Sequence, residues 1–198
     1  MKDEPYIQLE DVDTVEKLIK EGPDEVGTHL DLVEKGLKNI SWLSEETIDI
    51  HSMEKNRALA HLPKIFELWW LEEYYVIKKG SVDPGIKELV ALAVASEIGC
   101  RSCVPYHGGA ARFEGIEEDK INAIKQFSKE DDSLETGLKT VIEFGLKSVY
   151  RPTKIKKEDI QSLNDLGYYS SEIIEISITA QVSYKNASFN HIFNLNNN

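Results

Sequence analysis

Apolar residues recur along this chain at three- and four-residue spacings, the period of α-helices with one buried face. Behind Pro63, residues Ile65, Phe66, Leu68, Trp69, Leu71, Tyr75 and Val76 trace a broad face of this kind. Strand signals are scarce, and no Asn-Gly or Asp-Gly pair sits between alternating runs. The pattern predicts helices over 13–20 and 24–37, parted by Gly22-Pro23 as a stop followed by a starter. A further helix is expected over 45–62 with Ser44 as its cap, and another restarts at Pro63. Asp83-Pro84 punctuates the chain again, as a capping acid before a proline at the first helical position. The helix expected next, over 85–98, is apolar nearly all round (Leu89 to Ala95) and reads as a buried central helix. Gly99 is its natural stop. Cys100 is expected to start a helix running to Phe113, closed by Gly115. More helices are expected over 117–127, 131–149, 157–166 and 171–194, the last capped by Ser170 or Ser171. The expected organisation is an acidic helical segment over 1–45 followed by a compact helical domain over 46–198.

The chain has 198 residues, enough for a sizeable core at 41% hydrophobic content. Its net charge of −12 argues against nucleic acid and anionic membrane surfaces, which need clustered Lys and Arg. The densest basic run, Lys154-Ile155-Lys156-Lys157, is followed by acids. The start, Met1-Lys2-Asp3-Glu4-Pro5, lacks the apolar run of a signal peptide, so the cytoplasm is the expected compartment. No apolar stretch is long and uninterrupted enough to span a bilayer.

The two cysteines, Cys100 and Cys103, lie within four residues of each other. A disulfide across so small a loop removes little unfolded-state entropy, so stapling explains the pair poorly. Reversible closure explains it better: a thiolate oxidised to sulfenic acid meets a thiol about one helical turn away. The start of a helix favours thiolates, Arg101 adds positive charge, and Pro105 is tolerated in a first turn. His107 stands four residues after Cys103, on the same helical face, where a neutral imidazole can take and return a thiol proton. Glu88 sits in the apolar helix, where an acid is costly unless hydrogen-bonded or protonated. A hairpin about Gly99 would bring it toward the cysteine turn. The competing readings are two inert structural thiols, or a zinc site from Cys100, Cys103 and His107, for which no second cluster supplies the usual fourth ligand. Trp69 and Trp70 read as core or subunit interface. Tyr106 reads as core or pocket wall, and His29, His51, His61 and His191 as ordinary residues.

The order Glu88, Cys100-Arg101-Ser102-Cys103, His107 resembles the signature of the AhpD-like alkylhydroperoxidases of the carboxymuconolactone decarboxylase family. Trp69 or Trp70, Ser81-Val82-Asp83-Pro84, Gly108, Ala110, Gly115, residues 163–167 and 173–180 extend the likeness over roughly 50–193. The resemblance implies an all-α fold, a helical bundle whose central helix–turn–helix carries the cysteine pair. It implies symmetric homo-oligomers, trimers or hexamers, and reduction of a hydroperoxide substrate with an external dithiol or thioredoxin-like reductant. Cys100 and Cys103 would be the redox pair. The face that Cys103 shares with His107 favours it as the attacking thiol, while the place of Cys100 nearer the helix start leaves the reverse order open. His107 and Glu88 would form the proton relay, and no cofactor or metal is implied. Members performing lactone decarboxylation typically lack the cysteine pair, so its presence favours the peroxidase-related branch. Ser102 stands where a well-studied form of the motif has a second histidine; a hydroxyl passes a proton through a hydrogen bond but is no base near neutral pH. The alternatives are a thiol–disulfide oxidoreductase or redox sensor with little peroxidase turnover, and a non-catalytic binding protein on the same fold.

Overall fold

A computed structural model describes residues 4–38, 49–127 and 134–195. Among them the regular structure is helical throughout. The α-helices are α1 (Val12–Glu21), α2 (Asp24–Lys38), α3 (Glu54–Leu59), α4 (Pro63–Glu73), α5 (Pro84–Ile98), α6 (Cys103–Phe113), α7 (Glu118–Lys125), α8 (Thr136–Tyr150), α9 (Lys157–Asp165) and α10 (Ser170–Ile192). A π-helical turn, Tyr74–Lys78, follows α4 directly. No helix among the described residues is long and apolar enough to cross a membrane.

The helix starts follow the local chemistry. Asp11 accepts the Thr14 N–H at 2.7 Å to begin α1, and Asp83 accepts the Ile86 N–H at 3.1 Å to begin α5 behind Pro84. Three expectations need correction. The expected helix over 45–62 is helical only at Glu54–Leu59 among the described residues, while 39–48, including Ser44, lie outside them. Asp49 explains part of the difference: its carboxylate takes the His51 N–H at 3.0 Å and its carbonyl takes the Ser52 hydroxyl at 2.8 Å, so a local turn competes with the helix. At α10, neither Ser170 nor Ser171 lies outside the helix as a cap; the Glu172 carboxylate reaches back to the Tyr169 N–H at 2.8 Å. The third concerns Cys100. It lies in the turn between α5 and α6, and Cys103 is the first residue of α6.

The chain divides into two compact units, Met1–Tyr75 with Ser188–Asn198, and Val76–Ala187. In the first, α1 to α4 bury Val15, Val26, Leu30, Phe66 and Trp70. His29, an ordinary residue on sequence grounds, is buried there with its Nε2 3.3 Å from Glu73, whose other oxygen is 3.5 Å from the Lys55 ammonium. Lys55 also lies over the Trp70 ring, 4.2 Å from its centroid. Trp69 packs against Phe189 with ring centroids 5.0 Å apart.

In the second unit, α5 is the hub, buried along Leu89–Ala95 and packed on α6, α7 and α8. Val90, Leu92, Val94, Ile121, Ile124, Val141, Phe144, Leu163 and Ile176 form one core around it. The α8 backbone approaches α5 closely because position 145 has no side chain; a Cβ there would lie 2.8 Å from Val90 Cγ1. Gly145→Val is expected to destabilise the protein by about 1–3 kcal/mol through overpacking, since the small gain in helix propensity cannot offset the collision. A lower denaturant midpoint at unchanged slope checks this.

Candidate active site

Cys100 is placed by the way α5 ends. Gly99 adopts φ +74°, the left-handed conformation that glycine takes without a Cβ penalty. The Cys100 N–H then bonds the Ala95 carbonyl at 2.9 Å, and the Gly99 N–H bonds the Ser96 carbonyl at 3.1 Å. These two bonds make a Schellman motif, with Cys100 as the residue just past its glycine. The chain turns through Arg101 and Ser102 and enters α6 at Cys103. The two cysteines are joined as a disulfide with Cα atoms 5.3 Å apart.

The start of α6 faces sulfur. The Cys103 N–H donates to Cys100 Sγ at 3.3 Å, so the first cysteine stands where a capping oxygen usually does. Ser102 occupies the N-cap position but makes no side-chain cap bond. Its hydroxyl instead lies 3.6 Å from Cys100 Sγ and 4.0 Å from Cys103 Sγ. Both sulfurs are buried, while Arg101 is exposed. Ala95, Ala187, Ile98 and Val104 pack around the pair.

His107 lies one turn beyond Cys103 on α6 and is buried. Its Nδ1 is 2.8 Å from Glu88 Oε2. That contact commits Nδ1 and leaves Nε2 as the nitrogen available for proton transfer. Tyr106 meets the imidazole edge-on at 4.9 Å between centroids. Glu88 therefore joins the site through His107, across the α5–α6 pairing. Its side chain is fully buried, and its second oxygen receives the Lys78 ammonium at 3.1 Å. Lys78 also donates to Glu114 at 3.2 Å.

Burial pushes the Glu88 carboxyl up, but the hydrogen bond from His107, that residue's charge and the Lys78 ammonium outweigh it. The net result holds Glu88 below the ordinary 4.5. Lys78 is likewise subject first to burial, which lowers it, yet Glu88 and Glu114 leave it above its ordinary 10.5. Glu88 and Lys78 thus form an ion pair whose carboxylate is buried and whose ammonium is part-buried.

The residues singled out from the sequence fall into two groups, one helical turn apart along α6: the bonded Cys100–Cys103 pair touched by Ser102, and the Glu88–His107 contact with Tyr106 beside it. Lys78 and Lys87 were not singled out. Lys87 is as deeply buried in α5 as its neighbour Glu88, and it pairs with Glu175 at 2.8 Å. Its signal was the same as that of Glu88, a charge inside an apolar helix. Lys78 and Glu114 carry no local signal, since only the fold brings them to Glu88. Among the described residues, no group of three His, Cys, Asp or Glu side chains converges to hold a metal ion.

Because Glu88 is held below its ordinary value, the stability it contributes is complete above about pH 4.5 and is lost as pH falls through its lowered folded value. Glu88→Gln should therefore cost about 1–3 kcal/mol near neutral pH, and the deficit should shrink as the solution is acidified below the carboxylate range. Denaturant titrations of both proteins at stepped pH test this; a deficit that grows on acidification contradicts it. Gly99→Ala should cost about 1–2 kcal/mol by forcing a side chain into the left-handed turn, read as a lower melting midpoint.

Residues 63–126, which include both groups, match the carboxymuconolactone decarboxylase family. A search of curated proteins finds no match. Among solved structures, the chain is similar to an uncharacterized peroxidase-related protein with an alkylhydroperoxidase AhpD core from Ralstonia eutropha JMP134. The TM-score is 0.71 at 14% identity, covering 98% of this chain and 92% of that one. It is also similar to an uncharacterized peroxidase-related protein from Silicibacter sp. TM1040, with TM-score 0.67 at 15% identity, covering 80% and 82%. A third similar structure is a cysteine-to-alanine variant of the debrominase Bmp8 in complex with 2,3,4-tribromopyrrole. There the TM-score is 0.63 at 13% identity, covering 84% and 86%.

Proposed function

We propose, from the match of residues 63–126 to the carboxymuconolactone decarboxylase family and from the AhpD-like fold, that this chain is a thiol-dependent peroxidase. The observation that carries the reading is the buried 2.8 Å contact between Glu88 and His107, one helical turn from a cysteine pair able to form a disulfide. Glu88 orients the imidazole and His107 takes the thiol proton; a thiolate, unlike a thiol, is nucleophilic enough to attack a peroxide.

The cycle starts from the reduced pair. Cys103 Sγ, deprotonated by His107, attacks one oxygen of the hydroperoxide. The O–O bond breaks, an S–O bond forms, and the alcohol leaves with the proton returned by His107. Sulfur is oxidised to sulfenic acid and the peroxide is reduced. Cys100 then attacks the sulfenic sulfur, expelling water and forming the disulfide. An external dithiol reopens it by exchange and is itself oxidised. The Cys103 amide at Cys100 Sγ stabilises the Cys100 thiolate released at that step, and a better-stabilised thiolate leaves faster. Ser102, close to both sulfurs, can relay a hydrogen bond between them. The protein would act in the cytoplasm as a homo-oligomer, with a thioredoxin-like protein as a suitable donor.

Reduced protein should consume an organic hydroperoxide in the presence of a dithiol. Cys103→Ser and Cys100→Ser should each abolish sustained turnover, and His107→Gln should slow it by about 10²–10⁴-fold. If wild type and Cys103→Ser consume peroxide alike, the peroxidase reading is wrong. A readily titrated disulfide with only slow peroxide loss would instead identify a thiol–disulfide oxidoreductase, the reading that Ser102 in place of a second base would favour.

A further inference from the structure

Lys78 approaches Glu88 from a backbone that is itself held in place. It is the last residue of the π turn Tyr74–Lys78, a rare helical form often found beside functional sites. Within that turn the Val76 carbonyl accepts from the buried Lys87 ammonium at 3.0 Å. Lys87 is bound in turn by Glu175, whose carboxylate also takes the Ser81 N–H at 2.8 Å and the Val82 N–H at 3.4 Å. Gly80 allows this approach, since a Cβ at that position would collide with the Glu175 carboxylate. A long side chain usually loses considerable rotamer freedom when it pairs; here much of that restriction is already imposed by the loop.

The position of the charge matters more than its presence. A buried carboxylate whose only partner is an imidazole draws a proton onto the pair, and an imidazolium cannot act as a base. Lys78 occupies the oxygen of Glu88 that His107 does not use, and so answers part of the negative charge. Glu114, on the far side of the same ammonium, draws part of that answer away.

Among the described residues, several charges on the neighbouring helices are engaged elsewhere. On α6, Arg112 bonds Glu118 at 2.8 Å. On α7, Lys125 lies along Gly108 beside His107 and is held by Asn122 at 3.1 Å, with Glu118 at 4.0 Å. On α10, Glu175 is committed to Lys87. Toward α5, α8 contributes Val141, Phe144 and Gly145, and its Lys147 pairs with Asp159 at 2.7 Å.

We propose that Lys78 is a positioning residue that sets the pH at which the Glu88–His107 pair gives up its proton, keeping the imidazole neutral and able to act as a base. This deepens the peroxidase reading and rests on it for its biological meaning, though not for its test.

The test follows the His107 ring resonances of the reduced, nitrogen-15-labelled full chain against pH, with peroxide consumption measured in parallel. In Lys78→Met the proton should leave the pair about one pH unit or more higher than in wild type. Lys78→Arg should restore the wild-type midpoint. Glu114→Gln, at a part-exposed position, leaves Lys78 to answer Glu88 alone and should move the midpoint the other way, to lower pH. The acid limb of the peroxide rate profile should follow the resonances in every variant. Equal midpoints in wild type, Lys78→Met and Glu114→Gln would overturn the proposal, as would shifts of the same sign in the two variants. If Lys78→Met does not fold, the downward shift in Glu114→Gln decides the matter alone. If the midpoints separate as described while wild type consumes no peroxide, the role of Lys78 stands and the peroxidase reading falls.

Discussion

Two opposite charges, Lys87 and Glu88, stand side by side on α5, and neither has access to solvent. Moving either from water into the interior unpaired would cost several kcal/mol, more than most single contacts return. The second unit answers each separately. Lys87 is taken by Glu175 of α10 and by the Val76 carbonyl; Glu88 is taken by His107 of α6 and by Lys78. Being adjacent on a helix, the two side chains point about 100° apart. Their side-chain partners on the helices come from different elements, Glu175 from α10 and His107 from α6, while the π turn serves both charges, and all three are tied to α5 by this requirement. An apolar residue at either position would ask much less of the fold, so the polar arrangement makes most sense as serving the imidazole that Glu88 orients.

The cysteine turn is built by a different means. No ion pair is needed to hold Cys100 in place: a left-handed glycine and two backbone hydrogen bonds do so at the end of α5. The amide that would otherwise open α6 without a partner is directed at sulfur. The candidate site thus joins a backbone motif that positions the sulfurs to a charge network that orients the His107 imidazole. The first unit offers a useful contrast. Glu73 there also bridges a histidine and a lysine, His29 and Lys55, but the group packs on Trp70 and the unit contains no cysteine. A carboxylate shared by an imidazole and an ammonium is therefore not by itself evidence of thiol chemistry; what distinguishes the second unit is a cysteine pair one helical turn away.

Much of the fold was legible because its signals are local. Asp83-Pro84 and Gly99 bracket α5, and the structure begins and ends that helix where they stand. Asp24 and Gly22-Pro23 divide α1 from α2 in the same way. Periodicity misled where short-range hydrogen bonding overrode it, at Asp49 before α3 and at Cys100, which the glycine cap holds outside α6. In the site, Cys103 and His107 could be placed on one face of α6 from the chain alone because i and i+4 lie one helical turn apart. Glu88 could be suspected because its burial was implied by its neighbours. Lys78, Glu114 and Glu175 could not, since nothing within a few residues of them hints at the partner they meet.

The amino-acid sequence alone determined the helical class, the central buried helix and its stop, and the spacing of two sulfurs and an imidazole, because each depends on interactions reaching no further than about one turn. Tertiary structure alone decided which groups neutralise the charges buried in α5. That choice depends on distances between segments remote along the chain, and only the packed arrangement of π turn, α6 and α10 defines them.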